Sequence, residues 1–172
     1  MSRTALIVID MINAYDFPDA EKVVPSAKTA VPVIEELIGE HDGPVIYVND
    51  NFGHWRSQRD ELVEQALDGE RPDLVQPIKP SDDALFVVKA RHSIFYQTPL
   101  EYLLNQEDVG NLILTGQVTE QCILYSALDA YIRHFEVQVP PDAVAHIHED
   151  LAEAALKMME RNMSADVSPA RG

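Results

Sequence analysis

The sequence predicts an α/β domain built as a three-layer sandwich, with helices on both faces of a parallel sheet. Short apolar runs alternate with segments of helical periodicity along the whole chain, which is typical of βαβ units. The runs are continuously apolar, as expected of strands that are covered on both faces. A chain of 172 residues suits one domain over 1–172, and the small, polar residues 164–172 are expected to fray.

The first half of the chain supplies two strands and two helices. The run TALIVI at 4–9 predicts the first strand. Residues 25–40 carry apolar side chains at helical spacing and predict a helix, which Gly43-Pro44 separates from a second strand at 45–48. A short helix is expected at 57–67.

The second half continues the same alternation. Strands are expected at 84–88, 111–114 and 135–139, and helices at 99–105, 119–133 and 148–162. In such sheets ligands bind beyond the carboxyl ends of the strands. The residues to inspect are therefore Asp10, Asn49-Asp50, Lys89 and the segment 116–122.

The net charge and the single cysteine indicate which partners and which cellular compartment to expect. The formal net charge is −16, which repels phosphate backbones and anionic bilayers, so neither a nucleic acid nor a membrane is an expected partner. No apolar stretch reaches the roughly 20 residues that a bilayer requires, and no secretion signal is recognised. A single cysteine fits a reducing cytoplasm.

Three residues at the predicted strand ends have complementary chemistry. Cys122 taken alone is an ordinary small buried residue. With Thr119 as the N-cap of its helix, however, Cys122 lies in the first turn, where the helix dipole favours a thiolate. Lys89 is a cation that adds to this stabilisation, and Asp10 is a base that accepts the thiol proton. The combination indicates a cysteine nucleophile.

The same segments resemble the isochorismatase-like cysteine hydrolases, which include nicotinamidases and N-carbamoylsarcosine amidohydrolase. The resemblance lies in ALIVIDMINAY, VVKARHSIFYQTPLEYLL and LILTGQVTEQCILYSALDA. It implies a six-stranded parallel sheet, a catalytic triad of Asp10, Lys89 and Cys122, and a homo-oligomer. It also implies a cis peptide between Gln117 and Val118, with the amides of Val118 and Cys122 holding the oxyanion.

The segment VNDNFGHWRSQRDE departs from the nicotinamidase pattern. Asp50 matches a metal-binding aspartate of those relatives, but Phe52 replaces the histidine two residues later, and His54 is displaced. One carboxylate and one displaced imidazole make a poor ligand set. We therefore expect no metal and no other cofactor, and interpret residues 49–55 as a loop that faces the substrate.

Side chains in the loops beyond the strand ends are candidates for the pocket wall. His92 is either a pocket residue or a structural histidine. The candidates are Phe17, Asp50, Phe52, Trp55, His92 and Tyr96.

The predicted activity is hydrolysis of a C–N bond in a small amide or carbamoyl compound, through a Cys122 thiolate and an acyl-enzyme. Isochorismatases proper cleave a vinyl ether and lack the nucleophile, so its presence favours amide chemistry. Two alternatives stay open, a non-catalytic protein that binds a small ligand or acts as a scaffold, and a redox-active thiol protein. The absence of a second, resolving cysteine counts against the redox alternative.

Overall fold

A computed structural model describes residues 2–56 and 58–171, and its centre is a six-stranded parallel sheet. The strands run in the order β3-β2-β1-β4-β5, and β6 pairs with β4 beyond the end of β5. The strands are β1 (Arg3–Ile9), β2 (Val45–Asp50), β3 (Leu85–Lys89), β4 (Val109–Gln117), β5 (Glu136–Gln138) and β6 (Val144–Ala145). The six-stranded parallel sheet is thereby confirmed.

Six helices cover the two faces of this sheet within the described residues. They are α1 (Ala20–Glu40), α2 (Arg59–Leu67), α3 (Pro72–Val75), α4 (Leu100–Gln106), α5 (Leu124–Ile132) and α6 (Glu149–Met163). Side chains alternate across β1, so Leu6 and Val8 pack with α1, α2 and α3, whereas Ile7 and Ile9 pack with α4, α5 and α6. The three-layer α/β sandwich is therefore the observed architecture.

The register of the central strands brings their carboxyl ends to one edge. Ile9 at the end of β1 pairs with Val48 on one side and with Gly116 on the other. On the next strand pair, Asp50 lies opposite Lys89. Residues that follow β1, β2, β3 and β4 consequently share one edge of the sheet.

Several element boundaries differ from the sequence prediction. Helix α1 begins at Ala20 and not at 25, because the buried Ala20 and Val23 extend the packed face, so Pro25 lies inside the helix. The segment predicted as one helix at 119–133 is a π-helical turn over Thr119–Ile123 followed by α5. The strand β6 and the helix α3 were missed because two and four residues are too few to show a period.

The C-terminal tail was expected to fray, but residues 164–171 lie against the domain. Asp166 pairs with Gln138 as an isolated bridge, and Ala165 is buried. The carboxylate of Asp142 accepts hydrogen bonds from the backbone of Ala170 at 2.8 Å and of Arg171 at 3.0 Å. These contacts hold the tail against the domain, which its composition did not indicate. The prediction for Gly172 lies outside the described residues.

Replacing Asp142 with alanine tests this anchoring. Because two backbone N–H groups lose their acceptor, we expect the free energy of unfolding to fall by about 1–2 kcal/mol. Urea unfolding measures that change, and hydrogen exchange at Ala170 and Arg171 should accelerate. Asp42→Ala, an exposed aspartate without a side-chain hydrogen bond in the described chain, is the control and should change stability by less than about 0.5 kcal/mol.

Within the described ranges, no helix has both the length and the apolar character required to cross a membrane.

Candidate active site

The structure brings Asp10, Lys89 and Cys122 together at the carboxyl edge of the sheet. The ammonium of Lys89 lies 2.9 Å from Asp10 Oδ2 and 3.8 Å from Cys122 Sγ. The Lys89 side chain is 0% exposed, so its charge acts in a largely water-free setting where Coulomb interactions are strong. A carboxylate, a cation and a thiol thus share one buried cluster.

Hydrogen bonds to two neighbouring strands fix the position of Asp10. Its backbone is in the left-handed region, with φ +55°, and such a conformation in a non-glycine residue is maintained only by its surroundings. Its N–H donates to Val48 O at 3.1 Å, and its carbonyl accepts from Gln117 Nε2 at 2.9 Å. Asp10 Oδ1 accepts from the Asp50 N–H at 2.8 Å, which leaves Oδ2 toward Lys89.

Cys122 lies on the π-helical turn that follows β4. The peptide bond between Gln117 and Val118 is cis. The prediction that Thr119 is an N-cap is wrong, because Val118 occupies that position and no side chain caps the turn. The Thr119 hydroxyl instead donates to Ala145 O at 2.9 Å, which ties the turn to β6.

Glu120, which the sequence analysis did not identify, holds the same turn in place. Glu120 Oε1 accepts from the backbone N–H groups of Ile147 at 2.9 Å and His148 at 2.8 Å. These bonds connect the turn that carries Cys122 to the start of α6. No spacing in the sequence pointed to them, since the partners are more than 25 positions away.

Burial is the largest single influence on the pKa values of Asp10, Lys89 and Cys122. It raises the pKa of the Asp10 carboxyl, although the nearby Lys89 charge opposes this. Burial lowers the pKa of Lys89, but Asp10, Cys122 and Asp50 raise it, and their combined effect exceeds that of burial, so the net shift is upward. Burial and the Asp10 charge raise the pKa of the Cys122 thiol more than Lys89 lowers it. The pKa of Cys122 is thus raised, whereas its place in the first turn of a helix predicted a lowered value; the Cys122 thiolate stays a prediction.

Asp50 belongs to the same charge cluster. Its Oδ2 lies 3.5 Å from Lys89 Nζ, and its Oδ1 accepts from the Phe52 N–H at 2.8 Å. Both oxygens are thereby engaged within the protein. Across residues 2–56 and 58–171, no three His, Cys, Asp or Glu side chains are grouped as a metal site would require.

An open cleft of about 1220 Å³ lies over the cluster, and Asp10, Gln117, Val118 and Cys122 border it. Four predicted wall residues line this cleft: Phe17, Asp50, Phe52 and His92. Two do not, namely Trp55, which is 80% exposed, and Tyr96, which is 56% exposed. Both are on exposed turns, and their place in a loop did not reveal on which side the side chain emerges.

His92, one of the predicted wall residues, lies beside the thiol. Its Nδ1 is 3.8 Å from Cys122 Sγ, and its ring packs edge-on against Tyr125 at 5.5 Å between centroids. The next residue, Ser93, donates to Asp129, which is paired with Arg133 at 2.9 Å. This chain of contacts fixes the loop of His92 on α5.

Comparisons with known proteins show which proteins the chain is similar to. The isochorismatase domain family matches residues 4–171. The uncharacterized isochorismatase family protein YaaI of Bacillus subtilis strain 168 is 32% identical over 167 residues, which cover 95% of this chain and 92% of that protein. Maleamate amidohydrolase of Pseudomonas putida is 26% identical over 165 residues, covering 90% and 78%. The crystal structure of the nicotinamidase SaPncA from Staphylococcus aureus superposes with a TM-score of 0.74 at 24% identity, covering 97% and 100%.

Proposed function

The chain belongs to the isochorismatase family, and on that premise we propose that it is a cysteine hydrolase that cleaves a C–N bond of a small amide or carbamoyl compound. One observation carries the proposal: Asp10, Lys89 and Cys122 form one buried cluster at the base of a cleft. A relative named as an amidohydrolase supports the choice of an amide bond.

In the first step Cys122 Sγ attacks the carbonyl carbon of the substrate. Because the pKa of the thiol is raised, its proton passes to Asp10 as the S–C bond forms. The raised pKa of Asp10 makes it a better acceptor than an ordinary carboxylate. The carbonyl oxygen becomes an oxyanion, for which we assign the amides of Val118 and Cys122 as donors.

The second step breaks the C–N bond. Asp10 returns the proton to the departing nitrogen, so ammonia or an amine leaves and a thioester remains on Cys122. Water then enters the cleft and gives a proton to Asp10 while its oxygen attacks the thioester. The acid product leaves, and the proton returns to the sulfur of Cys122.

Lys89 supports these steps without exchanging a proton. Its buried ammonium lies 2.9 Å from Asp10 and 3.8 Å from the sulfur. The positive charge therefore orients the carboxylate of Asp10. It also stabilises negative charge both when that charge is on Asp10 and when it is on the sulfur of Cys122.

A screen of small amides and carbamoyl compounds for ammonia release tests the proposal. Each compound is assayed with the native protein and with Cys122→Ala as the matched blank. We expect at least one compound to be hydrolysed only by the native protein. Equal ammonia release by both proteins across the whole set would contradict the proposal.

We also propose a homo-oligomer. Helix α5 exposes an apolar stripe of Tyr125, Leu128, Tyr131 and Ile132, and helical spacing places these side chains on one side. Leu128, near the middle of α5, is 44% exposed. Such a stripe is suited to cover by a second copy of the chain.

Light scattering after size exclusion measures the assembly. We expect a dimer or a larger species for the native chain and a shift toward monomer for Ile132→Glu, since the new charge lies in the stripe. Leu151→Glu, at an exposed leucine on α6, is the control and should not alter the assembly. A monomeric native chain would refute this part of the proposal.

The proposed setting is the cytoplasm, with a small molecule as the partner and neither nucleic acid nor membrane. The net charge of −16 opposes binding to polyanions. Retention on a heparin or phospholipid-vesicle support at physiological salt would argue against it.

A further inference from the structure

The sulfur of Cys122 has a polar neighbour that the proposed steps do not use. The Nδ1 atom of His92 lies 3.8 Å from Cys122 Sγ, which is a hydrogen-bond distance for a sulfur atom. Lys89 Nζ lies at the same distance from Sγ, but the Lys89 side chain is 0% exposed. His92 is exposed and borders the cleft. The sulfur is therefore contacted by an ammonium from the interior and by an imidazole from the cleft.

The position of the imidazole is set by its ring and by its loop. The ring packs edge-on against Tyr125. Directly after His92, the Ile94 N–H donates to the hydroxyl oxygen of Ser126 on α5 at 3.1 Å. Ser93 and Ile94 are both buried. The loop is thus packed on α5, and the contact between Nδ1 and the sulfur is part of the packed fold.

The number of hydrogen atoms on the sulfur decides which of the two atoms donates. A thiol has one hydrogen, and in the proposed function that hydrogen passes to Asp10. Toward His92 the sulfur consequently offers only lone pairs, so the imidazole nitrogen has to supply the hydrogen. This places a hydrogen on Nδ1 of His92.

We propose that His92 is a further catalytic residue, whose Nδ1–H donates a hydrogen bond to Cys122 Sγ and assists the departure of the sulfur when the acyl-enzyme is hydrolysed. The inference rests on the proposed function and adds a residue to its site. After water has added to the thioester, the C–S bond breaks and its electron pair stays on the sulfur. The N–H of His92 stabilises that negative charge. The proton that Asp10 took from the water then passes to the sulfur, and His92 keeps its own hydrogen.

The hydrogen bond should matter more for the departure of the sulfur than for its attack. Without the donor the sulfur is more basic, so less of it is ionised, but the ionised fraction is a better nucleophile, and the two effects partly cancel. A more basic sulfur is simply a poorer leaving group. Removal of the donor should therefore slow hydrolysis of the acyl-enzyme more than its formation.

Three variants separate the hydrogen bond from the shape and the packing of the side chain. His92→Asn places an amide N–H near the position of Nδ1, and His92→Leu has the same branching without a donor. His92→Phe keeps a ring against Tyr125 and has no N–H. Because His92 is exposed, all three should fold, and urea unfolding checks each of them.

Turnover of the amide that the ammonia screen identifies tests the catalytic role. We expect hydrolysis of the acyl-enzyme to be roughly tenfold slower in His92→Leu and His92→Phe than in the native protein, and several-fold faster in His92→Asn than in His92→Leu. The share of protein that carries the acyl group during turnover, measured by mass spectrometry, should rise most in the two variants without a donor. Equal rates for His92→Asn and His92→Leu would overturn the inference. A native rate in His92→Phe would also overturn it, since only the packing of the ring would then matter.

Alkylation of Cys122 by iodoacetamide separates this inference from the proposed function, because it needs no substrate. Cys122 is the only cysteine, so intact-protein mass spectrometry reports on one thiol. At mildly alkaline pH we expect His92→Leu to be alkylated roughly fivefold more slowly than the native protein, and His92→Asn to recover most of the difference. That order without turnover of any amide would refute the hydrolase and retain the hydrogen bond from His92. Turnover with equal alkylation of the Asn and Leu variants would retain the hydrolase and refute the hydrogen bond.

Discussion

Replacing Cys122 with alanine is expected to lower kcat for amide hydrolysis by about 10⁴-fold or more while the protein stays folded. The substitution removes the atom that forms the acyl-enzyme, and residues that act as one catalytic unit give losses of this size. Cys122 borders the cleft, and only one sulfur atom is lost, so stability should fall by about 1 kcal/mol. Ammonia release and urea unfolding measure the two effects.

Asp10→Asn is the matched variant for the base. It keeps the size of the side chain but cannot accept the thiol proton, so kcat should fall by about 10²- to 10⁴-fold. Neither variant should recover activity at higher substrate concentration, because the loss is in the chemical steps. Turnover by Cys122→Ala within tenfold of the native rate would show that another group is the nucleophile.

Replacing Lys89 with methionine should reduce the free energy of unfolding by about 3–5 kcal/mol, the usual result of removing one partner from a buried ion pair. The Lys89 side chain is 0% exposed and lies within 2.9 Å of Asp10 and 3.5 Å of Asp50. Without it, two clustered carboxylates lack their cation. Activity should be lost as well, since Asp10 would favour its protonated form.

The pH dependence of this destabilisation follows from Asp10. Its pKa is already raised by burial, and removing Lys89 raises it further. A group with a folded-state pKa above its unfolded value contributes stability that is present below the unfolded pKa and is lost as pH rises through the folded pKa. The deficit of Lys89→Met should therefore be smaller in mild acid than at neutral pH, as urea unfolding at two pH values will show.

Two control variants test whether loss of the buried ion pair causes the lower stability of Lys89→Met. Lys22→Met removes an exposed lysine whose pair with Asp19 is on the surface, and should cost less than about 1 kcal/mol. The double variant Asp10→Asn/Lys89→Met removes both buried charges and should regain much of the lost stability. If Lys89→Met alone costs less than about 1 kcal/mol, the ion pair has little role in the fold.

The sequence located β1, β2 and β4 because these strands are long and largely buried. Ala5 to Ile9 are almost fully buried, and a strand of that kind is apolar at every position. The same rule located Asp10 and Lys89, since each follows such a run directly. Strand β6 has two residues and no period, so only its pairing with Gly116 and Gln117 reveals it.

The protonation state of Cys122 was beyond sequence reasoning. Position in the first turn of a helix suggested a thiolate, but that inference omitted burial. The side chain is 8% exposed, and Asp10 adds negative charge beside it. Both effects depend on three-dimensional packing, and together they exceed the contribution of Lys89.

Only some of the residues that line the cleft could be identified from the sequence. Phe17 and Phe52 were identified because they are aromatic residues in loops near strand ends. Trp55 satisfied the same criterion and faces solvent. Glu64 and Asp68 also line the cleft, and they were not identified because nothing in the sequence shows that α2 lies beside the site.

The most direct test of the central claim is intact-protein mass spectrometry of the reaction with the amide that is hydrolysed fastest, quenched in acid within the first turnovers. The account predicts a mass increase equal to the acyl part of the substrate, located on the peptide that contains Cys122 and absent from Cys122→Ala. Hydroxylamine should remove the adduct and yield the hydroxamate. Continued hydrolysis by Cys122→Ala, with no adduct on the native protein, would contradict the assignment of Cys122 as the nucleophile.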